Sequence, residues 1–215
     1  MLTDFKLQIP FASPITKSTA ASGLGILAVD WLEDPVATPP AKMQDVPLVW
    51  KPEKNPEASA GAATPDLFKV NIKAAPMTDS RTDPALIGET RERQPARPVT
   101  TKDDVPAFVT THFRALLKSV DMSVVENRET ALIKGDVQQF FVTETDNYDG
   151  EVRSGITVTD AADHLLWTGT AIGKSRDVGH SYKLENDYES LSDALVAATS
   201  NLLQNQDFQA AITHK

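Results

Sequence analysis

The last third of the chain, Ala131 to Phe208, carries alternating strand patterns in close succession that run into one amphipathic helix, and this order constrains the fold most. Ala131 to Ile133 and Val137 to Thr145 are rich in Val, Phe and Thr. Glu151 to Thr159 sets Val152, Ile156 and Val158 on one face against Arg153, Thr157 and Thr159 on the other. After the compact turn Asp160-Ala161-Ala162-Asp163, the run His164 to Ile172 returns with Leu165 and Trp167 alternating against Leu166 and Thr168. Such short connections join antiparallel neighbours, so the pattern predicts a meander. Val178 to Leu184 reads as a further edge strand or a loop, since Gly179 and Asn186 weaken it.

Upstream, Leu67 to Ala75 is the clearest strand, with Phe68, Val70, Ile72 and Ala74 on one side and Lys69, Asn71 and Lys73 on the other. The Asp- and Pro-bearing run Pro76 to Pro84 favours a loop, and Leu86 to Gly88 a short bridge. A helix starts at Asp103 or Asp104, whose carboxylate can accept the free first-turn amides, and Pro106 suits a position where no donor is needed. Val105, Phe108, Val109, Phe113, Leu116, Leu117 and Val120 form its apolar stripe, with Arg114 and Lys118 on the wet side. A second stripe runs over Tyr188 to Gln204, capped by Ser190 or Asp187, with Ala194 and Ala198 leaving room for close approach. The fold class that follows is α+β: a mostly antiparallel sheet with two helices packed on one face.

Prolines at 10, 14, 35, 39, 40, 47, 52, 56 and 65 punctuate the first 66 residues and exclude long regular elements there. Short extended pieces at Phe5 to Ile9 and Leu27 to Trp31 are expected to dock on the core, and Pro52 to Pro65 reads as a linker. The division predicted is an irregular arm over 1–66 and an α+β domain over 67–215.

Thirty acidic against twenty-one basic side chains give a formal charge of −9, which argues against a polyphosphate partner. Arg91, Arg93, Arg97 and Lys102, interrupted by Pro95 and Pro98, read as a solvated loop before an anion or partner site. Without a single cysteine the chain has no disulfide, thiolate catalysis or Cys-ligated metal. No apolar run approaches the roughly 18 residues of a membrane span; Asp30 interrupts the best candidate, Leu24 to Leu32.

No catalytic, cofactor-binding or metal-ligating residue is assigned. His112, His164, His180 and His214 lack metal-pair spacing. Glu144, Asp146, Asp149 and Glu151 crowd one turn, but an EF-hand register puts Thr145 first and Ile156 twelfth, where carboxylates belong, so a polar hairpin tip is expected. Gly179-His180-Ser181 lacks the second glycine of a nucleophile elbow. Gly23-Leu24-Gly25 and the Gly169 to Lys174 run both fail phosphate-cradle spacing. Trp167 is expected in the core, whereas Trp50, between Pro47 and Pro52, must dock on its own domain or on a partner.

The strand Phe68 to Ala75, the loop Asp79-Ser80-Arg81-Thr82-Asp83-Pro84 with Ile87-Gly88 after it, the helix, the strands of Val137 to Ile172 and the Leu191-Ser192-Asp193-Ala194-Leu195 helix together resemble the YajG-like bacterial lipoproteins over about two thirds of the chain. The resemblance implies an α+β domain in the periplasm, anchored to the outer membrane through a lipidated N-terminal cysteine, with no enzymatic activity. The cysteine is missing here, and MLTDFKLQIP lacks a charged n-region followed by an apolar h-region, so that location requires a targeting segment ahead of it; otherwise the expectation is cytoplasmic. Asp79 and Arg81 match the family loop and are expected to brace it. The reading is a non-enzymatic envelope-associated module that binds a protein or envelope component. A hydrolase acting on an envelope polymer near His180 and Ser181 and a structural homo-oligomer are the alternatives.

Overall fold

The structure is a computed structural model that describes residues 43–53, 70–92, 95–177 and 183–213. The extended pieces at Phe5 to Ile9 and Leu27 to Trp31, the linker beyond Glu53, the first residues of the Leu67 strand and most of Val178 to Leu184 lie outside them. In chain order the elements are β1 (Gln44–Asp45), β2 (Asn71–Ala74), β3 (Thr78–Asp79), β4 (Leu86–Thr90), β5 (Arg97–Thr100), α1 (Val105–Ser119), β6 (Ser123–Val124), β7 (Ala131–Glu144), β8 (Tyr148–Asp160), β9 (Leu165–Asp177), α2 (Leu184–Gln204) and α3 (Gln206–Thr213).

The fold is α+β. The long pairings, β7 with β8 and β8 with β9, are antiparallel, as the alternation predicts. β7 also pairs in parallel with β2, β3 and β4, so one edge of the sheet is mixed. Ala131 to Ile133 and Val137 to Thr145 are one strand. Lys134-Gly135-Asp136 breaks the apolar pattern, but Gly135 serves to admit Met77, whose side chain would lie 2.8 Å from an added Cβ. A bulge at Gln138 then shifts the inward parity from Val137 to Phe140 and Val142.

All three helices cover one face. Phe108 of α1 meets Phe140 edge-on at 6.0 Å, Ser190 of α2 donates to Tyr148 O of β8 at 3.1 Å, and Phe208 of α3 meets Trp167 at 5.4 Å. Phe140, Val152, Ile156 and Val158 are buried beneath them. α1 is capped by Asp104, whose Oδ1 accepts from Ala107 N at 2.9 Å.

Several expectations are corrected. α2 begins at Leu184, with Lys183 at the cap position and no side-chain cap bond, so Asp187 and Ser190 lie inside the helix, fully buried. Arg97 to Thr100 is a strand, because β4 and β1 flank it and Val99 is buried; the missing donor of Pro98 is tolerated beside Glu89. Leu86 to Gly88 belongs to a five-residue strand. Arg114 is not on the wet side: its Nε donates to Ala74 O at 2.9 Å, completing a carbonyl where β2 ends. A third helix, α3, follows the two expected ones, started by Asn205 Oδ1 accepting from Phe208 N at 3.0 Å.

Candidate functional site

With the helices on one side, the opposite face of β7, β8 and β9 is uncovered among the described residues. A trough of about 700 Å³ lies on it, lined by Lys134, Asp136, Gln138, Gly155, Thr157 and Thr170 among others. Gly155 is its floor, and the carboxamide of the bulged Gln138 lies over it, 2.7 Å from where a Cβ would stand. The charged groups here are already engaged. Asp136 accepts from Thr78 Oγ1 at 2.9 Å and from Ser80, and Lys134 reaches Asp163 at 2.7 Å. Farther along, Glu151 lies between Arg153 at 3.0 Å and Lys174 at 3.3 Å; partial burial works against its charge, but those two cations hold its carboxyl below the ordinary value. Among the described residues the Gln138 carboxamide and the Thr157 and Thr170 hydroxyls have no hydrogen-bond partner, which leaves a face able to bind but without a poised acid or base.

A second hollow, about 570 Å³, adjoins at Gln138 and is walled by Arg81, Leu86, Arg91 and Phe141. Arg81 is fully engaged there. Its Nε and Nη2 donate to Asp79 Oδ1 and Oδ2 at 2.9 and 2.7 Å, and Nη2 also reaches Pro84 O at 2.8 Å. Asp83 Oδ1 accepts from Ala85 N at 3.0 Å, so the loop resembling the lipoprotein motif is closed by its own side chains.

Under the helices lies a third feature that the sequence reading missed. Glu144 is buried, accepting from Tyr148 Oη at 2.7 Å and from Thr90 Oγ1, and is therefore not part of a wet hairpin tip. Asp187 is fully buried in α2; its Oδ2 accepts from Gln44 Nε2 at 3.2 Å and its Oδ1 has no partner. Burial, and then the nearby Glu144 charge, push the Asp187 carboxyl up to about 7 against the weaker pull of Gln44. Burial and Glu144 likewise raise the Tyr148 phenol, which stays protonated. Glu144 shares inward parity with Phe140 and Val142, and Asp187 is one turn before Leu191 on the apolar stripe; those spacings were the available signal.

The other sequence candidates are scattered. His112 stacks on Trp50 at 4.2 Å, and burial lowers its pKa; Trp50 thus docks on its own domain. His164 closes the β8–β9 turn on Asp160 at 2.9 Å, and Trp167 is partly buried against the core. Asp149 and Glu151 project onto the open face, away from Glu144. Gly169 and Gly173 lie within β9, where a Cβ on Gly173 would stand 2.1 Å from Ala194 O. His180, Ser181, Arg93, Gly23, Gly25 and His214 lie outside the described residues. Glu53, Asp177 and Asp193 bring one carboxylate oxygen each within 4.8 Å of the others, the one such grouping among the described residues. No described helix is long and apolar enough to cross a membrane.

No family model matches the chain. No curated protein matches it either. Solved structures do resemble it. A Xanthomonas campestris protein of the family DUF330 is 9% identical with a TM-score of 0.49, covering 80% of this chain and 96% of its own. A candidate lipoprotein from Caulobacter crescentus is also 9% identical, at 0.42, covering 60% and 92%. A PelC dodecamer from Paraburkholderia phytofirmans is 8% identical, at 0.35, covering 65% and 92%. None of these descriptions names the YajG-like family.

Proposed function

We propose that the chain is a non-enzymatic, envelope-associated module that binds a protein or envelope component through the uncovered face of β7, β8 and β9. The observation that carries this reading is the division of labour on that face among the described residues: Lys134 is held by Asp163, Arg153 and Lys174 by Glu151, and Asp136 by two hydroxyls, while Gln138, Thr157 and Thr170 keep free hydrogen-bonding groups over a glycine floor. Such a surface offers recognition rather than proton transfer. The envelope location rests on the resemblance of the Asp79 to Gly88 loop and its flanking elements to periplasmic lipoproteins. The proposed division of the chain stays an arm over 1–66 and a domain over 67–215, although part of the arm, residues 43–53, docks on the domain's core through Val46.

The test is site-specific photo-crosslinking in native envelopes from probes at Thr157 and Thr170, with Thr111 on the exposed side of α1 as control. A discrete crosslinked species from the two sheet positions and not from the control is expected. Equal labelling from all three, or none, would overturn the reading.

A homo-oligomer is favoured by one further observation. Among the described residues β9 is a thirteen-residue strand paired only with β8, with Leu165 and Ile172 exposed. Light scattering on the pure protein decides it, since a monomer at high concentration removes it.

A further inference from the structure

Residues 43–53 run as a strap from the sheet, where β1 pairs with β5, onto α1 and α2. Val46 is fully buried, Leu48 N donates to Asp103 Oδ2 at 2.7 Å, Trp50 stacks on His112, and Lys51 N donates to Ser192 Oγ at 3.2 Å. The strap is fastened to α2 at both ends. Lys51 Nζ holds Glu185 and Glu189, while Gln44 holds Asp187.

The Gln44 end differs from the rest in its electrostatics. Among the described residues one neutral amide is the only hydrogen-bonding partner of a fully buried carboxyl group whose other oxygen has none. Among the described residues the groups that act on it bring no compensating cation. β7 presents Glu144; β8 presents Tyr148, neutral and already donating to Glu144; β4 presents Thr90, also on Glu144. On α2 itself Glu185 and Glu189 are taken by Lys51, and Asn186 bonds Tyr148. On the strap Asp45 is paired with Lys102 at 2.7 Å. The first turn of α2 also lacks a side-chain cap. An ionised Asp187 would therefore stand buried beside a second buried carboxylate, and moving the strap or that first turn aside would bring water to it.

We propose that the strap and the N-terminal turn of α2 form a pH-responsive latch, closed while Asp187 carries its proton and loosened when it gives the proton up beside Glu144. The sign follows from linkage. The closed form holds the proton up to about 7, whereas an opened, hydrated Asp187 releases it near the ordinary 3.8, so closure is strongest in acid and weakens as pH rises through 7. Loosening frees Trp50 from the Phe108 and His112 side of α1 and uncovers that surface. His112 works in the opposite direction, since burial favours its neutral form and acid weakens the Trp50 stack.

Hydrogen exchange of 43–53 and 184–190, corrected for intrinsic rates, tests this on the whole chain at about pH 6 and pH 8. Protection of both segments in the native protein should fall about tenfold between the two, while β8 stays constant. Asp187→Asn should abolish the difference and Glu144→Gln should move its midpoint to lower pH. Should Asp187→Asn fail to fold, the Glu144→Gln shift and the native titration still decide. Equal protection at both pH values, or a midpoint unmoved by Glu144→Gln, would overturn the latch.

Discussion

Arg81 closes on the carboxylate of Asp79 two residues before it, Nε on Oδ1 at 2.9 Å and Nη2 on Oδ2 at 2.7 Å, with only 6% and 14% of the two side chains exposed. The pair anchors the loop that lets the chain leave β3 and enter β4 farther along the same edge of β7, the edge opposite β8. Arg81→Ala takes the guanidinium donors from four carbonyl and carboxylate oxygens, those of Asp79, Pro84 and Leu86, and should cost about 3 kcal/mol, measured by urea denaturation. Arg81→Lys should recover little, because an ammonium cannot form the two parallel bonds.

The same pair sets an acid limit. The Arg81 hydrogen bond holds the Asp79 carboxyl below the ordinary 3.8, so its contribution is complete above that value and is lost as pH falls through the lower, folded value. Wild type and Asp79→Asn should therefore converge in stability on acidification, followed by thermal melts from neutral pH to about pH 2.

At Gly173 the backbone of α2 rests directly on β9, and an added Cβ would stand 2.1 Å from both Ala194 O and Ala198 N. Both obstacles are backbone and cannot rotate away. Gly173→Ala should lower stability by more than about 3 kcal/mol or abolish folding, whereas Gly155→Ala, which meets only the swinging Gln138 amide, should cost well under half of that. Denaturation midpoints of the two variants give the comparison.

Asp104 supplies the one side-chain bond that starts α1. Asp104→Ala should cost about 1 kcal/mol and Asp104→Ser nearly nothing, read from chemical denaturation.

Trp50 joins the strap to α1 by stacking on His112, with planes 6° apart, and by an edge contact to Phe108. Trp50→Ala should cost about 2 kcal/mol. It should also erase part of the acid sensitivity near the strap: the depressed His112 value means that its contribution is complete above 6.5 and lost as pH falls through the folded value. A native His112 titration that stays depressed in Trp50→Ala, followed by NMR, would show that burial by other groups is responsible.

Much of the scaffold was legible because alternation and helical spacing are local signals. Val152, Ile156 and Val158 share a face as their parity requires, and Asp104 and Pro106 start α1 where their chemistry suits them. Where local signals were overridden, the cause was a distant neighbour. Arg97 to Thr100 is a strand because β1 and β4 flank it, and Lys134 to Asp136 continues a strand because Met77, Thr78 and Ser80 occupy the gap in its apolar pattern. The start of α2 was placed four residues late because its first turn is held by Lys51, about 130 residues earlier in the chain, rather than by a cap of its own.

By itself the amino-acid order determined which segments are extended, which are helical and which face of each is apolar, since those properties depend on spacings of two and of three to four residues. Only the tertiary structure decided that, among the described residues, one face of the long strands stays open and that Asp187 and Glu144 share a buried space with Gln44 as the one donor to Asp187. Burial and mutual charge are properties of neighbours, and those neighbours come from β1, β7 and α2, segments brought together only when the sheet and helices pack.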